Sequence, residues 1–566
     1  MKLKKLFSTV IVMVLLVCYV PALASAEEYD LAQGSIEVSA DESGQYVSQV
    51  DAGFVNVTQT SPTIISQSDS ETPTQNTISI SATGGATAEV TLDGVNIDAS
   101  KTYDSAVKSS GDGTVIIELD GDNTLSSGMW RAGLEKEDDG QLIINDSNGI
   151  AGSLEAKSGN NGGGAGIGGG AGAGVSNITI NGGTITAVGA SNGAGIGSGS
   201  GAKADNITIN GGKITAIGGS DAAGIGGSGG YWWKDIGDCS NITINDGEII
   251  AKGGQDAAGI GSGTRGSAKN ITINGGKVDA TGGFFGAGIG GGRLGQAENI
   301  TITGGDISAK GGSSGAGIGG GERKDGTGIK ITGGSVSATG GDSAAGIGGG
   351  GNSHYSGTSG DDQRGHGSDI TISGDANVKV TNGTWGAYGS DPDNIFSNGA
   401  CIGDGGTNGG ASDGAEYEPD TSKLTPNARI EYWHPGAKEY HRLITGTYVP
   451  PEPVLPVASA PEYSPLFRVV DANGADLGHS AVIENGVLTI TAAHDFAVLT
   501  GALSGVDALM QQGVDTIVFI TSGAGSAFEL SALRAAGSAS DIFRLTHDGE
   551  AATLTLGGEA LDGVLK

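Results

Sequence analysis

Apolar side chains recur in this chain at every second residue over short runs, and the runs themselves recur at fixed intervals. In Asn177-Ile178-Thr179-Ile180 the two isoleucines face one way and Thr179 the other, as alternate residues of a strand do. The pair returns at Ile207/Ile209, Ile242/Ile244, Ile271/Ile273, Ile300/Ile302, Ile329/Ile331 and Ile370/Ile372. A second apolar column runs through Ile185, Ile214, Ile249, Val278, Ile307, Val336 and Val378. The third is the isoleucine of "AGIG", a phrase that begins at Ala165, Ala194, Ala223, Ala258, Ala287, Ala316 and Ala345, at spacings of 29, 29, 35, 29, 29 and 29. Three short strands per period with glycine-rich corners predict a right-handed parallel β-helix of roughly eleven coils, an all-β solenoid whose coils stack at about 4.8 Å.

Asparagine precedes the strand at Asn177, Asn206, Asn241, Asn270 and Asn299. Stacked amides there can hydrogen-bond from coil to coil as an internal ladder, and the coincidence with N-x-[ST] follows from the repeat register. The outward threonines form a column one side chain wide, ordinary for a solvated strand face.

Before the repeats, Lys2, Lys4 and Lys5 precede an apolar run from Leu6 to Val20, and Ala24-Ser25-Ala26 supplies a cleavage site. Residues 1–26 read as a secretory signal peptide, so a secreted, extracellular and cell-surface-associated protein is expected, with no membrane insertion after cleavage. Residues 27–75, rich in Ser, Thr and Gln, read as a linker or an N-terminal cap, and 76–449 as the β-helix with its terminal cap. Strands are expected at Thr77 to Ser81, Glu89 to Leu92, Thr114 to Leu119 and Gln141 to Asn145, with Ala106-Val107-Lys108 and Ala132-Gly133-Leu134 in the place of "AGIG". Six prolines between Pro450 and Pro465 mark a semi-rigid linker. Residues 466–566 read as a small α+β domain, with strands at Val487 to Thr491 and Thr516 to Thr521 and a helix from Phe496 to Gln512.

"AEVTLDGVNIDAS", "SAVKSSGDGTVIIELDGDNTLSSG" and "AGLEKEDDGQLIINDSNGIAGSLEAKSG", between Ala88 and Gly159, resemble the carbohydrate-binding β-helix domain of clostridial cell-surface proteins. The coils that follow resemble the glycine-rich "GAGIGGG" surface proteins of gut Firmicutes. The resemblance covers roughly Asn76 to Gly410 and lies in a framework, with no catalytic motif. It implies binding of plant cell-wall polysaccharide and an ability to hold calcium.

Charge narrows the partners. The formal net charge is −33, and loss of three signal-peptide lysines takes it to about −36, which disfavours nucleic acid and anionic lipid. Cys239 and Cys401 lie about five coils apart, roughly 24 Å, beyond disulfide reach.

Unusual residues concentrate in insertions between coils. One brings Tyr231, Trp232, Trp233 and Lys234; a second brings His354, Tyr355, Asp361, Asp362, Arg364 and His366 from the same corner four coils on. A third, with Trp385, Tyr388, Asp391 and Asp393, leaves from a different corner. Exposed aromatic rings stack on pyranose C–H faces, so Tyr231, Trp232, Trp233, Tyr355 and Trp385 are candidate carbohydrate-binding residues. Asp361, Asp362, Asp391 and Asp393 are candidate metal ligands, with calcium the cofactor they suit. A glycoside hydrolase needs two carboxyl groups about 5 to 9.5 Å apart across the scissile bond, which a Gly/Ser-rich loop does not preorganise. The expected function is therefore non-catalytic polysaccharide binding or adhesion, with a plant cell-wall or host glycan as the partner. A structural rod presenting the last domain is the alternative, and a polysaccharide lyase or hydrolase comes third.

Overall fold

The computed structural model describes residues 28–59, 62–159, 162–229, 237–352, 363–383, 399–406, 414–433, 438–447, 466–472, 474–494, 496–522, 525–547, 551–561 and 563–565. These form two units, Met1–Val449 and Pro450–Lys566.

The first unit is a parallel β-helix. Each regular coil contributes an "NITI" strand such as Ala204–Ile209, a second strand such as Lys213–Ile217, and a two-residue third strand such as Ile225–Gly226. All three pair in parallel with the same strands of the next coil, in a register that sets Ile207 on Ile242, Ile214 on Ile249 and Ile225 on Ile260. The three expected columns are thus physical columns. Their side chains are almost fully buried; Ile242, Ile244 and Ile260 are at 0 % exposure. Full burial of one isoleucine contributes about 1.5–3 kcal/mol, so the axis holds the rod together. No coil could bury its own apolar side alone.

Asparagines 177, 206, 241, 270 and 299 adopt left-handed backbone, with φ from 52° to 60°. Asn177 stands just before its strand and the others third in theirs; the pairing that joins Ala268 to Ala297 and Ile271 to Ile300 passes over the asparagine in both coils without a change of register. Asparagine tolerates this region better than most residues. Gly328 and Asp369 hold the same position, also with positive φ, in the two later coils. The amides do stack: Asn206 Nδ2 donates to Asn177 Oδ1 at 2.6 Å and Asn270 to Asn241 at 3.0 Å. The ladder lies at the surface, not inside as expected, because left-handed backbone turns these side chains outward. A second ladder, unforeseen, closes the other end of the same strand through Asn181, Asn210, Asn245 and Asn274.

The solenoid reaches further back than Asn76. Glu28–Asp30 pairs in parallel with Thr63–Ser66, and Ile36–Asp41 with Ile78–Ala82. Two antiparallel strands, Gly44–Gln49 and Phe54–Gln59, then fold over the end of the third sheet. Of the two expectations for this segment, linker or cap, its described strands fit the cap. Of the four early strands expected, Gln141–Asn145 has the predicted bounds and Ile78–Ala82 lies one residue on; Thr87–Asp93 and Thr114–Ser126 run longer.

At the other end Arg429–Trp433 adds in parallel to Asn377–Thr381, and Arg442–Thr445 returns antiparallel to it. Tyr432 fills the last layer of the core. The Glu416 carboxylate accepts from Cys401 N at 2.8 Å and Ile402 N at 3.2 Å, closing the final rung; burial pushes this carboxyl up. Cys239 and Cys401 are free and buried, and burial pushes both thiols up to about 12.

The second unit has a five-stranded and a four-stranded sheet and short helices at Leu503–Gln511 and Leu530–Ala535, around a core that includes Phe519, Phe528 and Phe543. Strands Val487–Ala492 and Thr516–Ile520 stand where expected. The helix expected from Phe496 is a strand over Ala497–Ala502 before it becomes a helix. Pairing with Arg468–Val470 and Ile542–His547 on either side overrides the helical spacing of Leu499 and Leu503.

A candidate binding edge

The third strand is only two residues long, and this governs the surface around it. In the regular coils its last residue is a glycine with φ between 129° and 145°, as at Gly226 and Gly261, so the chain turns sharply off the rung. A Cβ on Gly261 would stand 1.9 Å from Gly290 O. With so short a strand, the loops before and after it meet across its outer face. The loop after each strand bonds the loop before the preceding strand: Thr264 N donates to Asp221 O at 3.0 Å, Arg293 N to Asp256 O at 2.7 Å, Glu322 N to Phe285 O at 2.9 Å and Gly351 N to Ser314 O at 2.9 Å. The third sheet is roofed by this arch, which is why residues 222–229 and 257–263 are all buried.

Side chains on the arch form a second, polar spine. Thr264 Oγ1 donates to Asp221 Oδ1 at 3.3 Å. Arg293 bridges Asp256 at 3.2 Å and Glu322 at 3.1 Å, and its guanidinium lies 4.5 Å from the Phe285 ring centre. Glu322 is 1 % exposed. Burial and the neighbouring Asp256 push the Asp221 carboxyl above the ordinary carboxylate range. Phe285 packs edge-on against Phe284, which is half exposed.

The insertions are rooted here. The first belongs to the connection between Gly226 and Cys239, and the second to the connection between Gly348 and Gly367. The third belongs to the connection between Thr381 and Ile402, on the loop before the third strand. That is a different corner of the coil, as expected, but the loops before and after the third strand meet over it, so all three roots lie on one edge. Tyr231, Trp232, Trp233, Tyr355, Trp385, Asp361, Asp362, Asp391 and Asp393 themselves lie outside the described residues. Of the second insertion's other candidates, Arg364 Nε and His366 Nδ1 stand 3.8 and 3.1 Å from Asp404 Oδ2. Among the described residues no group of three or more His, Cys, Asp or Glu is placed to hold a metal ion.

Sequence reasoning missed the described aromatics of this edge. Between residues 76 and 403 the exposed large apolar side chains among the described residues are Tyr103, Met129, Trp130, Ile150 and Phe284. All but Ile150 lie on the arch edge. The register that sets Val107 on Leu134 and Leu134 on Ile167 makes Tyr103 and Trp130 equivalent, two residues before the third-strand loop closes, and puts Phe285 in the same position five coils later. Only the third-strand register reveals this equivalence, because residues 103–131 carry no "AGIG".

Fold and edge together define a solenoid of the parallel β-helix class. Six segments, 178–200, 207–230, 242–264, 271–293, 300–322 and 329–351, match the family model described as beta helix repeat, which supports a place for these coils among beta-helix repeats. No curated protein and no solved structure matches the chain.

Proposed function

We propose that this chain is a secreted, cell-surface, non-catalytic polysaccharide-binding or adhesion protein that engages its ligand along the arch edge. One observation carries the reading: between residues 76 and 403 the exposed aromatics among the described residues, Tyr103, Trp130 and Phe284, all lie on the edge that roots the three insertions. Exposed apolar groups confined to one side of a polar rod mark an interaction site. Aromatic rings rimmed by hydrogen-bonding groups suit pyranose units, whose C–H faces stack while their hydroxyls stay wet. The acidic net charge turns away nucleic acid and anionic lipid. Tyr231, Trp232, Trp233, Tyr355 and Trp385 are further candidate stacking residues, and Asp361, Asp362, Asp391 and Asp393 candidate calcium ligands.

The alternative is a structural rod that presents the second unit, and the division of the chain at Val449, beside a proline-rich segment, favours it. Sedimentation of the protein with insoluble plant polysaccharides separates the two. Retention by the parent chain, reduced in Trp232→Ala/Trp233→Ala with an unchanged melting curve, supports binding; no retention by the parent removes it. Release of reducing ends or unsaturated uronides from glucans or pectin, with or without calcium, would replace binding with catalysis.

A further inference from the structure

The backbone at Trp130 departs from the rest of its column. Its φ is 69°, a region that a bulky side chain rarely enters, and the ring is 54 % exposed. The corner does not demand this conformation. At the equivalent position Tyr103, Asn192, Asp221, Asp256, Phe285, Ser314 and Ser343 all have ordinary backbone. Where a left-handed residue is needed, glycine or asparagine would serve with less strain. A tryptophan held exposed at such a site is the kind of outlier that clusters at ligand-binding positions.

Its surroundings fix it in place. Trp130 O accepts from Ala171 N at 2.7 Å, and Gly162 lies so close that a Cβ there would stand 2.5 Å from Trp130 N. Next to it, Arg131 Nε donates to Tyr103 O at 3.0 Å and Arg131 also meets Glu135 at 2.9 Å and Glu137 at 3.4 Å. Glu135 is itself buried and accepts from Ser105 Oγ at 2.6 Å. This chain of contacts ties the coil carrying Trp130 to the coil carrying Tyr103, which is 69 % exposed. Beside the two aromatics, Lys108, Glu137 and Arg131 form a partly exposed row of donors and acceptors.

We propose that Tyr103 and Trp130 form a rigid stacking platform for neutral pyranose units, heading an extended site that takes a glycan chain laid along the rod axis. The inference rests on the polysaccharide-binding reading and adds a subsite and a ligand shape to it. The root of the first insertion lies three coils beyond Trp130, about 14 Å, and Phe284 about 24 Å, so one chain of several sugars can span successive aromatic positions.

Affinity gel electrophoresis of the full chain tests this, with soluble neutral polysaccharides (hydroxyethylcellulose, xyloglucan, galactomannan) in the gel and polygalacturonate as a charged control. Neutral oligosaccharides of three to six units serve as competitors. Trp130→Gly should weaken retention on a neutral polymer about tenfold, the loss of one stacked ring, while the melting temperature stays level or rises because glycine relieves the positive φ. Tyr103→Ala should weaken it less, Trp130→Phe should keep most of it, and longer competitors should compete better. Retention that survives Trp130→Gly and Tyr103→Ala but fails in Trp232→Ala/Trp233→Ala overturns the platform and leaves polysaccharide binding standing. Competition independent of length overturns the extended site, and preference for polygalacturonate alone overturns the neutral ligand. A parent chain that no polymer retards, but that self-associates until Trp130→Gly dissolves the assembly, makes the patch a contact between copies and overturns both readings.

Discussion

The glycine-rich coils and the looser coils before them build the same corner in opposite ways. In the regular coils the residue after the third-strand isoleucine is a glycine with φ near 135°, and the chain leaves the rung at once. In the looser coils the same position is Lys108 or Glu135, and the strands run on as Val107–Ser110 and Leu134–Lys136. The first solution leaves no room for a side chain under the arch. The second admits one, and Glu135 then needs Arg131, Ser105 and Ala132 N to make its burial tolerable. Glycine repetition thus sets the pitch of the corner, whereas the irregular coils, freed from it, carry Tyr103 and Trp130.

Substitutions at four positions sharpen or break this contrast. The largest effect is expected at Gly261→Ala, where positive φ and a 1.9 Å approach to Gly290 O combine to destabilise the rod by about 4 kcal/mol or more, read by denaturant unfolding. Glu135→Ala, at the same place in a looser coil, should lose about 1–3 kcal/mol, from the hydrogen bonds left unmade; equal losses at the two sites would erase the distinction.

Asn270→Ala should follow at about 1–2 kcal/mol, for a left-handed backbone and a lost ladder bond, and Asn270→Gly should lose less because it keeps the conformation. Smallest is Asp221→Asn. The folded state holds the Asp221 proton more readily than the unfolded chain does. This group's contribution is therefore fully present below the unfolded value, about 3.9, and is lost as pH rises through the higher folded value. The variant should melt slightly above the parent at pH 7 and level with it near pH 3; the reverse order would show that Asp221 is stabilised in its charged form.

The axis of the fold was legible because Ile207, Ile214 and Ile225 return in register coil after coil, and a strand's period of two leaves one way to bury them. The asparagine ladder was legible in position but not in place, since the left-handed backbone that turns it outward leaves no trace in polarity. The arch was not legible: it depends on bonds such as Arg293 N to Asp256 O, between residues 37 apart in loops that share no repeated side chain. For the same reason the edge was visible only where it bulges, at the insertions, while Tyr103 and Trp130 remained hidden among coils without "AGIG". The C-terminal helix was misplaced at its start because Ala497–Ala502 satisfies helical spacing and strand pairing alike.

The account stands or falls on where a glycan touches the rod, and hydrogen exchange of the full chain with and without a soluble neutral polysaccharide measures that directly. It predicts slower exchange in peptides covering 101–105, 128–131 and 283–286, all on the arch edge, with the "NITI" strands unchanged. Protection confined to the threonine and asparagine faces, or none in a mixture where the protein is demonstrably bound, would contradict it.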